Sequence, residues 1–295
     1  MQIIRNLLNG LAFGVVETVP GVSGGTIAII MGFYFDLIDA INNFKKNVRK
    51  NLIFLITLAI GVIAGILLFS SLMNFLLTHY SFPTMFFLIG LIAGIIPHIF
   101  AKVKTKGEAL SFLDIVIIVV PFLVVAGLSF IKKDVSDIPN EELISSISAP
   151  FMVFIFFAGI LAAMALVIPG ISGSFVLLLL GVYPIIIFSV SSIRVYFSDV
   201  SNTALLLNIC KVLVPLAIGV ISGGLCMVKL IGMLLSKYSR IVYSIILGLL
   251  TGSVFALFKD PIVYKSGFSP PIIAIGIAVF ILGAALSFFM GKKRL

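Results

Sequence analysis

The residues of this chain best placed to do chemistry come in two matched runs. Residues 20–26 read Pro-Gly-Val-Ser-Gly-Gly-Thr and residues 169–175 read Pro-Gly-Ile-Ser-Gly-Ser-Phe, 149 positions apart. Each run separates two apolar stretches. Each is followed by the same punctuation, Gly32-Phe33-Tyr34 and Gly181-Val182-Tyr183. The hydroxyls of Ser23, Thr26, Ser172 and Ser174 are hydrogen-bond donors. Gly21, Gly24 and Gly25 permit positive φ and close approach of a ligand to the backbone, and Gly170 and Gly173 are counterparts of the first two. The apolar stretch after each run starts a helix. Its first N–H groups have no intrahelical partner and carry the positive end of the dipole. The chemistry this offers is capture of an anion, a carboxylate or a phosphate. The competing explanation is that the hydroxyls simply cap the two helix starts.

Charged residues near these runs are few. Glu17 is the one acidic residue deep in an apolar stretch, three positions before the first Pro-Gly. A carboxylate there is costly, roughly 2.5–3.5 kcal/mol on insertion scales for the comparable Asp, so it is a functional candidate. Its counterpart in the second run is Leu166. Glu17 could accept a proton, bind a cation, or tie down N–H groups of the tip; coupling of transport to protons is favoured. Arg5, Lys211 and Lys229 could contact a phosphate. Arg5 could equally mark topology, and for Lys211 snorkelling toward the interface is favoured. His79 and His98 fall at the ends of apolar segments, where a structural role is expected.

These residues must be positioned in a membrane. The chain is 61% hydrophobic and 11% charged, with a mean hydropathy of +1.30, and apolar stretches near 20 residues recur throughout. That composition excludes a soluble domain and predicts an all-α polytopic membrane protein. The net charge of +9 is read as topology signals and contacts with anionic lipid, not nucleic-acid binding. The start, Met-Gln-Ile-Ile-Arg, reads as the beginning of the first hairpin and not as a signal peptide. Cys210 and Cys226 have the spacing of neither a metal site nor a disulfide framework. No metal, cofactor or catalytic residue is expected.

The duplication extends beyond the two runs. Residues 58–81 and 216–239 align at an offset of 158, and the same offset maps Gly90 and Gly94 onto Gly248 and Gly252. The first repeat is expected over 1–133, with a hairpin at 3–43 and spans at 51–78, 84–101 and 112–131. The second is expected over 149–295, with a hairpin at 150–192 and spans at 205–235, 241–258 and 271–290. A hairpin that returns to its own side followed by three crossings makes each half odd, so the second half is inverted. Backbone broken by Pro-Gly is tolerated at membrane depth only where protein or a wet cavity pairs it. Two such breaks in inverted repeats point to a substrate site near the midplane. With the N-terminus cytoplasmic, 13 of the 20 Lys and Arg residues fall inside, 5 outside and 2 within a span. This supports both termini inside, with the Asp134–Glu142 loop outside. The short first arm favours re-entrant hairpins.

The text Glu17-Thr-Val-Pro-Gly-Val-Ser-Gly-Gly-Thr26, with Leu166-Val-Ile-Pro-Gly-Ile-Ser-Gly-Ser-Phe175, resembles the PopT family of bacterial polyprenyl-phosphate transporters over essentially the whole chain. The resemblance implies return of undecaprenyl phosphate from the outer to the inner leaflet of the bacterial cytoplasmic membrane, so that the carrier can be reused in envelope synthesis. The residues alone reach only an anion-binding inverted-repeat transporter. A proton or sodium gradient as the driving force and a homo-oligomeric state stay open. Rivals are a polyprenyl-pyrophosphate phosphatase and a channel or transporter for another small anion. Phosphatases of that kind carry Arg in a Pro-Gly-x-Ser-Arg-Ser-Gly loop, where this chain has Gly24 and Gly173. Without arginine or a metal, the charge of a phosphoryl-transfer transition state goes unstabilised.

Overall fold

The computed structural model describes residues 2–19, 22–104, 110–130, 147–198, 201–265 and 269–294. The expected loop at Asp134–Glu142 lies outside them. The described residues are helical, with no strand among them. In hydrocarbon the helix satisfies every backbone group within one segment, and the apolar runs of this chain take that form. The chain is an all-α polytopic membrane protein, and among the described residues five helices are long and apolar enough to span, or up to seven if each bent pair counts as one.

The first arm is α1 (Gln2–Glu17). It ends at Glu17, and the chain resumes helix as α2 (Gly24–Ile30) and α3 (Tyr34–Asn42). A short 3-10 turn leads to α4 (Val48–His79), α5 (Ser81–Val103) and α6 (Phe112–Leu128). Then follow α7 (Ala149–Val167), α8 (Gly173–Leu179), α9 (Tyr183–Ser198), α10 (Thr203–Lys259), α11 (Pro261–Tyr264) and α12 (Pro270–Arg294). The long α10 is interrupted at Tyr238, with φ −136° and ψ 45°. Tyr80, between α4 and α5, has φ −131° and ψ 42°. These tyrosines are 158 positions apart and share their backbone geometry.

The hairpins match in the same way. Helices α2 and α3 meet at 107°, and α8 and α9 at 115°. Gly32 and Gly181 turn the corner with φ of 70° and 74°. This left-handed region strains any residue with a Cβ, so glycine is required at both. The next amides, of Phe33 and Val182, donate to Ala28 O and Leu177 O at 3.0 and 3.1 Å.

The chain divides into two compact units. One comprises Met1–Phe130, Ile168–Ile171 and Val228–Leu295. In it α1 lies backbone to backbone on α4, with Gly10 and Gly14 facing Gly61 and Gly65. Small residues permit that approach, and packing replaces the hydrophobic effect between helices in lipid. Gly90 and Gly94 of α5 lie on Phe280 and Ala284 of α12, and Gly248 and Gly252 of α10 lie on Ile118 and Phe122 of α6. Among the contacts that tie helix ends together in this unit are an ion pair, a cation–π contact and a hydrogen bond. Arg240 Nη2 meets Asp114 Oδ2 at 2.6 Å. Lys259 Nζ sits 3.8 Å over the Phe130 ring. Ser81 Oγ donates to Val263 O at 3.5 Å.

The other unit comprises Ile131–Val167 and Ser172–Met227. Here Gly219 and Gly223 of α10 meet the backbone of Phe156 and Ile160 on α7. Its buried core is Ile155, Ala158, Val182, Ile185, Ile186 and Val212.

Candidate anion-binding hairpin tips

The first tip is built by a helix end, a break and a new helix start. Ser23 is the N-cap of α2 in extended conformation, φ −93° and ψ 129°, yet its side chain makes no capping bond. Ser172, the N-cap of α8, repeats this at φ −89° and ψ 130°, also without a side-chain cap bond. Simple capping is therefore not what these serines do. Ser23 and Thr26 are buried, at 3% and 0% exposure, and neither hydroxyl has a hydrogen-bond partner among the described residues. A buried polar group left unpaired costs about 1–3 kcal/mol. Two such hydroxyls lie at one tip, each with its donor unused among the described residues. At the second tip Ser172 Oγ and Ser174 Oγ pair with each other at 2.8 Å.

Glu17 ends α1, and its Oε1 accepts from the backbone N–H of Gly24 at 2.8 Å. Of the three roles its position allows, anchoring the tip is present in the geometry. The carboxylate lies at the start of α2, where the backbone favours negative charge.

The glycines are corrected in one respect. Positive φ was expected at Gly24 and Gly25, but both lie inside α2 and neither adopts it. What fixes Gly24 is space: a Cβ there would collide with Glu17 Oε1 and with Phe13 Cζ. The close approach is made by the chain's own first arm. Gly173 is confined the same way: a Cβ there would lie 2.7 Å from Ala162 O. Gly170 does have φ +96°, and a Cβ there would lie 2.9 Å from the backbone of Leu249. Its carbonyl accepts from Ser253 Oγ at 2.5 Å. Ser253, on α10, gave no signal in sequence, because a serine within an apolar helix usually bonds its own preceding turn. Ser253 does that too, to Leu249 O at 2.8 Å. Gly21 lies outside the described residues.

The three cations part company. Lys229 is exposed on α10. Arg5 is exposed near the start of α1 and borders a cavity of about 450 Å³ with Asp36, Asp39, Arg49 and Lys50. Lys211 is half-buried and donates to Asn208 Oδ1 at 3.2 Å. Among the described residues no group of three or more His, Cys, Asp or Glu could hold a metal.

Known proteins fix the family. A family description, undecaprenyl phosphate translocase-like, matches residues 13–266. The chain belongs to the undecaprenyl phosphate translocase-like family. A Staphylococcus aureus protein named polyprenyl-phosphate transporter is 30% identical over 293 residues, covering 97% of this chain and 95% of that protein. A Vibrio cholerae protein of the same name is 28% identical over 268 residues, covering 86% and 77%. No solved structure matches the chain. The translocase-like match spans the first tip, the second tip and the Ser253 contact alike. The names in this family are those of transporters and not of enzymes.

Proposed function

We propose that this protein carries polyprenyl phosphate across the membrane, returning undecaprenyl phosphate from the outer to the inner leaflet of the bacterial cytoplasmic membrane for reuse. The observation that carries the proposal is the pair of buried, unpartnered hydroxyls, Ser23 and Thr26, in a chain whose relatives are named polyprenyl-phosphate transporters. A phosphate headgroup cannot cross hydrocarbon unaided, and hydroxyls with free donors at a broken helix give it a polar stop. The polyprenyl tail stays in lipid throughout. Phosphate contacts are assigned to Gly21, Ser23, Gly24, Gly25 and Thr26 on one tip and to Gly170, Ser172, Gly173 and Ser174 on the other.

Two repeats of opposite orientation, over 1–133 and 149–295, accord with contacts inside the first unit. Tyr80 adjoins Ser81, which bonds Val263, and Lys259 of that same end lies on Phe130. Tyr238 is near Arg240, which pairs with Asp114 at the other end of α6. The repeat-equivalent tyrosines therefore sit at opposite ends of one apolar helix pair. With the excess of Lys and Arg taken as cytoplasmic, the Tyr238 end faces inside and both termini do too.

Glu17 couples this movement to protons. Its carboxylate occupies the Gly24 amide and repels a second anion there. A proton on Glu17 removes the repulsion and admits the phosphate. The phosphatase alternative lacks its machinery at Gly24 and Gly173. Transport of polyprenyl phosphate by proteoliposomes, compared between wild type and a Ser23→Ala, Thr26→Ala double variant, tests the proposal. Loss of transport is expected; an unchanged rate would remove the tip from the account.

A further inference from the structure

The second unit contains a crevice of about 710 Å³ between α7 and the first part of α10. Its walls are apolar, with Met152, Phe156, Leu207 and Ile218 among them. Leu207 and Ile218 are 63% and 54% exposed, so the crevice opens on the face that meets lipid. Two polar side chains interrupt these walls, Lys211 and Asn208, and among the described residues no carboxylate lines the crevice. Lys211 Nζ donates to Asn208 Oδ1 at 3.2 Å. An ammonium has three N–H donors, and Asn208 is the one partner it has among the described residues. A cation beside hydrocarbon is expensive unless an anion joins it.

We infer that this crevice is a headgroup site for a single-anion phosphate lipid, distinct from the hairpin tips, with the phosphate on Lys211 and Asn208 and the tail along the apolar walls. Charge and shape both require that class of ligand. A free phosphate would leave the apolar walls unused, and an uncharged lipid would leave the ammonium unpaired. The amide Nδ2 of Asn208 can donate to a second phosphate oxygen while its Oδ1 holds the ammonium. The choice of polyprenyl monophosphate as the lipid rests on the transport reading above.

The first repeat has a crevice at the corresponding place. Ile3 and Ile53, which border the cavity beside Arg5, are the repeat equivalents of Met152 and Lys211. There the cations Arg5, Arg49 and Lys50 share the lining with the carboxylates of Asp36 and Asp39, so a crevice lined by a cation and by no carboxylate among the described residues belongs to the second unit.

The chain carries its own reporter. Cys210 lines the crevice, and Cys226 does not, while both are exposed. The full-length protein in nanodiscs is labelled with N-ethylmaleimide, and the two rates are followed by mass spectrometry. Polyprenyl monophosphate at about ten times its Kd should slow labelling of Cys210 about tenfold and leave Cys226 unchanged. The uncharged polyprenol and inorganic phosphate should each leave Cys210 unprotected. Lys211→Met should lose the protection and Lys211→Arg should keep it. Gly173→Val, a change at the tip, should keep the protection while losing transport. Equal protection by polyprenol, or protection that survives Lys211→Met, overturns the inference. Protection by inorganic phosphate alone overturns the lipid assignment. Wild-type protein that is protected but moves no lipid would contradict the transport reading and leave the crevice site standing.

Discussion

Glu17 Oε1 accepts a 2.8 Å hydrogen bond from the Gly24 amide, and the equivalent residues of the second hairpin, Leu166 and Gly173, can form no such bond. The two tips share backbone geometry to within a few degrees at Ser23 and Ser172. Their difference is therefore one of charge. One tip holds an internal anion against its helix start. The other offers two hydroxyls that satisfy each other. Under the proposed proton coupling, protonation would act at the first tip only.

Glu17→Gln separates anchoring from coupling. The amide oxygen can accept the same bond from Gly24, so the fold and lipid binding should persist. The charge and the proton site are gone, so acceleration of transport by a pH gradient should vanish. Uptake with and without the gradient is the measurement. A gradient response in the variant equal to that of wild type would remove Glu17 from coupling.

Gly24→Ala should displace Glu17 and Phe13, because a Cβ has no room between them. Overpacking of this kind costs about 1–3 kcal/mol. Gly170→Ala should be at least as damaging, since it adds strain at φ +96° to a collision with the Leu249 backbone. Thermal unfolding in detergent should show both variants shifted down, with Ser253→Ala following Gly170→Ala in direction and smaller in size. A wild-type midpoint for Gly170→Ala would contradict the contact.

Asp114 and Arg240 are 126 positions apart and meet at 2.6 Å. They should lie on one membrane face, opposite Lys265. In a chain with Cys210 and Cys226 replaced, single cysteines at Lys46 and Arg240 should react with an impermeant reagent from the cytoplasmic side, and one at Lys265 from the outside. Labelling of all three from one side would sink the inverted arrangement.

Asp260 gives a pH test outside the spans. Burial raises its carboxyl above the ordinary carboxylate range, partly offset by the Ile262 amide it accepts. A raised folded-state pKa means the folded protein takes up a proton more readily than the unfolded chain. Stability from this group therefore falls as pH rises through that shifted range and is level above it. Asp260→Asn keeps the cap and removes the charge. It should flatten that slope in a series of unfolding midpoints against pH.

Much of this was legible in the chain. The Gly32 and Gly181 corners follow from Pro-Gly runs and Gly-x-Tyr punctuation, and the break at Tyr238 from its match to Tyr80. The Arg240–Asp114 pair was not, because each residue alone resembles an ordinary charge at a span end. The cause of Gly24 was misassigned, since a glycine demanded by space reads the same as one demanded by φ. Ser253 was invisible for a similar reason: its bond to Gly170 joins distant segments that no local pattern connects.

The central claim is movement of a phosphate lipid between leaflets. Proteoliposomes loaded with polyprenyl phosphate on one leaflet, with leaflet occupancy read by an impermeant phosphate-directed reagent, test it most directly. Wild type should equilibrate the lipid far faster than empty liposomes, faster still with a pH gradient, and Ser23→Ala, Thr26→Ala should not. Equal rates in wild-type and empty liposomes would contradict the account.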